Sequence, residues 1–419
     1  MEPPRKIPES SSPSADSIAS KSYYSLKNSD GAISPEPPAT NNGRRRRSFW
    51  FHLHFWVGWL AAIPLLVICV TGVALAFDPE FHAWEEPEYY ALEPNGKRLD
   101  LPEALEHFEA ALPRLHHNYL QIPESPHSAY MSFATELGEN GASNRGLRAF
   151  LNPYTSELSR ESENTTLIRQ LEIWHRTLTF GKIGRWIMGG SSLLMGLSSI
   201  AGIILWWPMR GRTFARAWRR GRALDWHNTL GLIALLPLIL LSITGITFTW
   251  GRFVFPWLDQ VQGISSKFEK PVLEHNASVD RDDFTPVPLS SVARQIEENF
   301  PAFEIHSLQG SRNPTQPYIF NLREATDLHP GGNLKLIIDP LTGKEVSRFD
   351  QRATGPVGWY RRYFYIIHTG HPFPLWARLF WGLFSLTGGV LIVIGIWITI
   401  RRWGRTRRKP SPQNQEETL

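Results

Sequence analysis

The chain has 419 residues, a formal net charge of +5 and one cysteine, Cys69. That length holds two or three domains, while a lone cysteine excludes an intrachain disulfide and any Cys-ligated zinc or iron–sulfur site. The basic excess is no nucleic-acid signature, because Arg44–Arg47, the arginines at 210, 212, 216, 219, 220 and 222, and the stretch from Arg401 to Lys409 all flank apolar runs.

Mean hydropathy is slightly polar, an average that hides four charge-free runs: Phe55–Phe77, Trp186–Trp207, Asn228–Trp250 and Leu379–Ile400. Each is long enough to cross a ~30 Å hydrocarbon layer as a helix. The basic flanks place both termini and the 208–224 loop in the cytosol, and the two long connections on the other side.

In chain order, residues 1–47 are rich in Ser, Pro and Asn and read as a disordered cytosolic tail. The first apolar run, starting near residue 49, is too long for a signal peptide and serves as the anchor. Residues 48–77 form the first membrane helix, on which Gly58, Ala61, Leu65 and Gly72 share a face with His54. Small residues above a histidine leave a hollow suited to a flat macrocycle or to close helix packing; Cys69 reads as a small packing residue.

Residues 78–170 form a small α+β domain, with a helix at Pro102–Leu112 and a hairpin at 146–158 turning on Asn-Pro. The sequon Asn164-Thr165-Thr166 matters only in a eukaryotic secretory chain. Residues 171–207 carry His175 and the second membrane helix, 208–224 the basic loop, and 225–250 the third helix. Residues 251–358 repeat the α+β plan, with a helix at Leu289–Asn299, strands around 303–323 and a hairpin at 333–346. Residues 359–400 carry His368 and the fourth helix, and 401–419 form a cytosolic tail. Interruptions marked by Gly181 and Gly184, and by Gly370, Pro372 and Pro374, separate His175 and His368 from the helices that follow. An unbroken helix would hold each histidine about 15 Å above Arg185 or Arg378; the breaks let both fold back to the membrane face.

The chain is thus an α-helical membrane protein, a four-helix bundle of two repeats with two extracytosolic α+β domains. His54 to Gly72 aligns without a gap with His227 to Gly245, pairing Gly58 with Gly231, Pro64 with Pro237 and Thr71 with Thr244. From His175 through Arg185 to Gly202, the offsets match those from His368 through Arg378 to Gly395. Topology then pairs His54 with His227 near the cytosolic face and His175 with His368 near the other. Two neutral imidazoles facing each other across a bundle suit a bis-histidine haem, and two such haems would make a transmembrane electron path. Zinc would want a third or fourth ligand, and none recurs in the repeat; paired copper or ferrous iron would leave the small-residue faces unexplained. Arg185 and Arg378 suit either haem propionates or anchoring at the interface. His371 rivals His368 as a ligand, whereas His52 points away from His54, and His116, His117, His306 and His329 read as solvated residues of the outer domains.

The H-x3-G openings at His54 and His227, the entries Trp174-His175-Arg176 and Ile367-His368-Thr369-Gly370, and the paired DP-x-T-G-like hairpins resemble the PepSY-associated transmembrane family over roughly residues 48–403. The first hairpin departs from the second, with Asn152 and Ser156 in place of Asp339 and Gly343. The resemblance implies an inner-membrane di-haem (two haem b) reductase of ferric siderophores, its axial ligands His54, His175, His227 and His368. Electrons would enter from an external donor on the cytosolic side and pass to an extracytosolic Fe(III) chelate, which Trp359, Tyr360, Arg361 and Arg362 are placed to dock. Outer-sphere electron transfer needs no catalytic acid or base, and no G-x-G-x-x-G follows a strand to bind a nicotinamide or flavin. Two other classes stay open: a non-enzymatic PepSY module that binds or restrains an extracytosolic partner, and a quinone-linked haem b subunit.

Overall fold

A computed structural model describes residues 41–112, 115–136, 145–162, 166–279, 284–311, 313–371 and 373–406. Most of the two expected disordered tails, and Asn164 and Thr165 of the sequon, lie outside the described residues.

The first apolar run lies in α1 (Asn41–Leu75), which ends where Asp78-Pro79 opens a short α2 (Asp78–Glu85), followed by the single turn α3 (Pro87–Tyr90). Proline belongs at such starts because its missing N–H would have no helical partner there. Helix α4 (Leu101–Ala111) begins with a capping box, in which Glu103 N–H donates to the Asp100 carboxylate and Asp100 N–H to the Glu103 carboxylate. Strands β1 (Leu115–Gln121), β2 (Tyr130–Glu136), β3 (Arg145–Leu151) and β4 (Leu158–Ser162) follow, then α5 (Leu167–Thr177), α6 (Gly181–Trp206) and the short basic α7 (Thr213–Arg220). The second half runs in the same order. It comprises α8 (Ala223–Gln262), α9 (Leu289–Asn299), β5 (Phe303–Gln309), β6 (Tyr318–Glu324), β7 (Leu334–Ile338), β8 (Glu345–Asp350), α10 (Gly355–Thr369) and α11 (Leu375–Thr406). One difference stands out: α8 runs on past residue 250 to Gln262, where the first half breaks into α1 and α2.

Four helices, α1, α6, α8 and α11, are long and apolar enough to cross a membrane. Large side chains such as Leu60, Ile63, Leu236 and Leu383 point outward from them, as a lipid-facing surface requires. Between helices the contacts are small and polar. Ser385 Oγ on α11 donates to the Cys69 carbonyl on α1, and Ser242 Oγ on α8 donates to the Ser192 carbonyl on α6. A Cβ on Gly72 would lie 2.7 Å from Ser385 Oγ, and one on Gly245 would lie 2.7 Å from Ser192 Oγ. Glycine therefore sets how closely both pairs approach. Buried Cys69 packs with its Sγ 3.0 Å from the Cβ position of Gly388.

The two α+β modules are not separate sheets. Their strands form one antiparallel sheet in the order β4-β3-β2-β1-β5-β6-β7-β8, joined by Leu120 opposite Leu308 and Gln121 opposite Ser307. Each module alone would leave its first strand as an open edge; joining them satisfies both edges and buries Leu120 and Leu308 completely. Helices α4 and α9 cover one face with Leu101, Ala104, Leu105 and Phe108, and with Leu289, Val292, Ala293 and Ile296. Both sets follow the 3.6-residue period, and each large buried side chain contributes about 1.5–3 kcal/mol. Alternation then turns Ser307, Asn321 and Lys335 to the opposite, polar face.

The expected fold-backs occur. Helix α5 ends with Leu178 and Thr179 in the left-handed region and Gly181 at φ 54°, and α10 ends on Gly370 at φ 71°. Gly184 lies inside α6 rather than in the break, and serves it differently: a Cβ there would sit 1.5 Å from the Thr177 carbonyl oxygen. Gly184→Ala should therefore lower stability by about 3 kcal/mol through overpacking against backbone. Gly190→Ala, on the same helix with nothing near its Cβ position, should stay within about 1 kcal/mol of wild type, on the stabilising side. Thermal unfolding of the two purified variants compares them directly; equal stability would mean the α5–α6 approach is loose.

Candidate functional site

The folded-back segments deliver His175 to the last turns of α1 and His368 to the middle of α8. The structure brings His54 against His227 and His175 against His368, with ring centroids 6.1 Å apart in both pairs and planes inclined at 79° and 67°. Thr71, which touches His175, lies 17 positions after His54 on α1, so the pairs stand about 25 Å apart along the bundle.

In three of the four rings, those of His54, His175 and His368, Nδ1 is engaged by a protein oxygen. His54 Nδ1 lies 2.9 Å from the Ser198 carbonyl; a carbonyl only accepts, so Nδ1 carries the proton. His175 Nδ1 lies 2.9 Å from Thr71 Oγ1, and His368 Nδ1 lies 2.7 Å from Thr244 Oγ1. Each hydroxyl already donates to its own helix, Thr71 to the Val67 carbonyl at 2.6 Å and Thr244 to the Leu240 carbonyl at 2.8 Å. Their oxygens are left to accept, which again assigns the proton to Nδ1. His227 Nδ1 is buried without a hydrogen bond; the carbonyl of Leu391, the repeat mate of Ser198, lies beside it outside bonding geometry. For His54, His175 and His368 the free lone pair is thus on Nε2, as in metal-ligating histidines whose other nitrogen is held by an outer partner.

Glycines line these rings. The Cβ positions of Gly202 and Gly395 lie 3.5 and 3.8 Å from Cε1 of His54 and His227, and those of Gly72 and Gly245 lie 3.4 and 3.9 Å from Cε1 of His175 and His368. Gly58, one turn above His54, faces open space. A metal about 2 Å from each nitrogen, with each nitrogen about 1.1 Å from its ring centre, would set the centres of two axial imidazoles about 6 Å apart. Both pairs meet that spacing. Among the described residues no group of three or more His, Cys, Asp or Glu side chains could hold a metal, so the donor sets available here are paired imidazoles.

The two matched arginines part company. Arg378 is buried, forms two bonds to the Glu80 carboxylate at 2.6 and 2.7 Å, and donates to the Ala76 carbonyl at 3.2 Å. Arg185 is exposed. The difference follows from the broken helix: α1 ends beside Ala76 and frees a carbonyl, whereas α8 runs unbroken through Thr249, the repeat mate, and offers none.

His52 is exposed, and His371 pairs with no other histidine among the described residues. His117 belongs to the core, bonded to Ser132 and packed on Phe108. Of the expected docking residues, Tyr360 bonds Thr247 and Arg361 is held by Asp259 and Ser266, while Trp359 stacks on Tyr363 with its indole exposed. Thr71, Thr244 and Ser198 are the site residues that reading the sequence alone missed. The first two recur at matched positions, a signal read there only as evidence of duplication.

A family model described as the PepSY-associated TM region matches residues 51–409. No curated protein matches the chain.

The Glu80–Arg378 pair gives a pH test. The bond to Arg378 holds the Glu80 carboxyl below its ordinary range, so this stabilisation is present above the unfolded carboxylate value and is lost as pH falls through the folded one. Glu80 is 45% exposed, so screening limits the pair to about 1 kcal/mol. Stability measured from pH 7 to pH 3 should fall less steeply in Glu80→Gln than in wild type; parallel curves would show that the pair is not what the acid limb titrates.

Proposed function

The chain belongs to the PepSY-associated transmembrane family, and we propose that it is a transmembrane di-haem electron-transfer protein that reduces ferric siderophores, oxygen-rich Fe(III) chelates, and so releases Fe(II) for uptake. The observation that carries this reading is the recurrence of one arrangement at two levels: paired histidines 6.1 Å between centroids, backed by small residues and, in three of the four, tethered on the Nδ1 side. His54 with His227, and His175 with His368, would each hold a haem b, and exposed Arg185 would be freer to meet a propionate than Arg378, which Glu80 holds. When bound, a bis-histidine haem supplies one-electron oxidation and reduction with no axial vacancy for O₂ or peroxide.

The chain's own work is to hold and orient. Thr71 and Thr244 fix their histidines in the Nδ1–H tautomer, and the glycines keep the rings clear of side chains. The four apolar helices keep water from the path between the levels. The basic flanks support a topology with the termini in the cytosol and the sheet on the other side of the inner membrane. The net change moves one electron from a cytosolic-side or membrane donor to the ferric ion of an extracytosolic chelate. Fe(II) is held less firmly by the chelate's hard oxygen donors and dissociates.

Purified protein should show a reduced-minus-oxidised b-type spectrum with two haems per chain, and His54→Ala or His175→Ala should each lose one. Thr244→Val should keep the fold but weaken haem retention about 10- to 100-fold. Reduced protein mixed anaerobically with a ferric siderophore should be reoxidised. Absence of any visible chromophore would sink the reading in favour of a PepSY module that binds or regulates an extracytosolic partner. Reoxidation by quinone but not by the chelate would make the chain a quinone-linked haem b subunit.

A further inference from the structure

Helix α10 carries one basic residue that the fold leaves unsatisfied. Arg361 is engaged by Asp259 and Ser266, but the neighbouring Arg362 has Nε and Nη2 buried without a hydrogen-bond partner. A buried guanidinium normally finds a carboxylate, because two uncompensated N–H groups cost several kcal/mol. The carboxylates near it are committed elsewhere. Asp327 accepts from the backbone N–H groups of Glu324 and Asn333 and from the Asn333 side chain, and Asp350 is forked by Arg352.

A second, half-buried cation lies within electrostatic reach on the polar face of the sheet. Lys335 bonds Asn321, itself bonded to Ser307, and its ammonium lies 5.5 Å from the centre of the Phe268 ring. Neither Arg362 nor Lys335 has an ion-pair partner among the described residues. Burial, with Arg362 second, pushes Lys335 down to about 8, and burial pulls Arg362 down to about 10; both still carry charge at neutral pH. His329 stands beside them, against Tyr363 of α10. Its Nδ1 accepts the Gly331 N–H at 3.0 Å, so the neutral ring carries its proton on Nε2 and donates it to the Arg362 backbone carbonyl. His306, at the bulge that shifts the β5–β6 register, lies next to the same Gly331 position. Among the described residues the place is doubly positive, and the carboxylates near it, Asp327, Asp350 and Glu124, are bonded to other groups.

We propose that Arg362 and Lys335, with His329 beside them, form a binding site for a small oxyanion, a carboxylate or phosphate group, between α10 and the polar face of the sheet. A planar guanidinium binds such a group through two parallel N–H bonds, and the ammonium adds a third donor. The anion is either free in the surrounding solvent or carried on a phospholipid headgroup; both present the same oxygens. The site stands independently of the redox reading.

Two arms test it on the full-length protein in detergent. One follows the unfolding temperature with inorganic phosphate or citrate added, against chloride at equal ionic strength. The other counts phospholipids retained through delipidation by native mass spectrometry. Wild type should show a saturable rise in the first arm if the anion is free, or one retained phospholipid in the second if it is a headgroup. Arg362→Gln should remove whichever signal is found or weaken it at least 10-fold, while Arg348→Gln, an exposed change on the same sheet, should leave it intact. Where Arg362→Gln does not fold, Lys335→Gln is read in the same way. A wild type with no response to phosphate or citrate and no retained lipid overturns the site, as does undiminished binding by a folded Arg362→Gln.

Discussion

Two hydrogen bonds organise this molecule, from His175 to Thr71 and from His368 to Thr244. In each, the hydroxyl spends its proton on its own helix and keeps only an acceptor for the ring. The imidazole must then carry its proton on Nδ1 and present its lone pair to the histidine opposite. This requires each histidine segment to turn back on the helix that follows it, which explains the left-handed residues at Leu178, Thr179, Gly181 and Gly370. It also requires Gly72 and Gly245 next to the threonines, since side chains there would collide with Ser385 and Ser192 before the rings could settle.

The two halves share their plan without being copies in detail, and the departures have local causes. Asp78-Pro79 ends α1, the freed carbonyl of Ala76 takes Arg378, and Glu80 completes the pair. Helix α8 continues instead and leaves Arg185 exposed. The hairpin turns differ in residue but not in shape: Ser156 and Gly343 both adopt positive φ, 58° and 66°, although only glycine does so without strain. Asn152 and Asp339 both accept backbone N–H groups of their turns, and Asp339 is further held by His275 and Asn276.

The polar face of the sheet shows two ways of burying charge. Arg148 meets Glu86 in a closed pair, and Tyr89 stacks on Phe150 beside it, so that end has no further need of a ligand. At the other end Arg362 and Lys335, both half-buried, lie within electrostatic reach of each other with no carboxylate bonded to either among the described residues. Charge left uncompensated costs stability, and its persistence points to a group supplied from outside the chain.

The histidine offsets, the four apolar runs and the basic flanks were enough, read from sequence, to give the number of crossing helices and the pairing of His54 with His227 and His175 with His368. Periodicity and duplication are local properties of a chain and survive in one dimension. The sheet-to-sheet junction at Leu120 and Leu308, the different fates of Arg185 and Arg378, and the role of Gly184 against the Thr177 carbonyl could not be read there. Each depends on which distant backbone atom lies a few ångströms away, a quantity set by the packing of whole elements. The threonine tethers fall between the two: the repeat displayed both residues, but only the folded chain placed their oxygens against Nδ1.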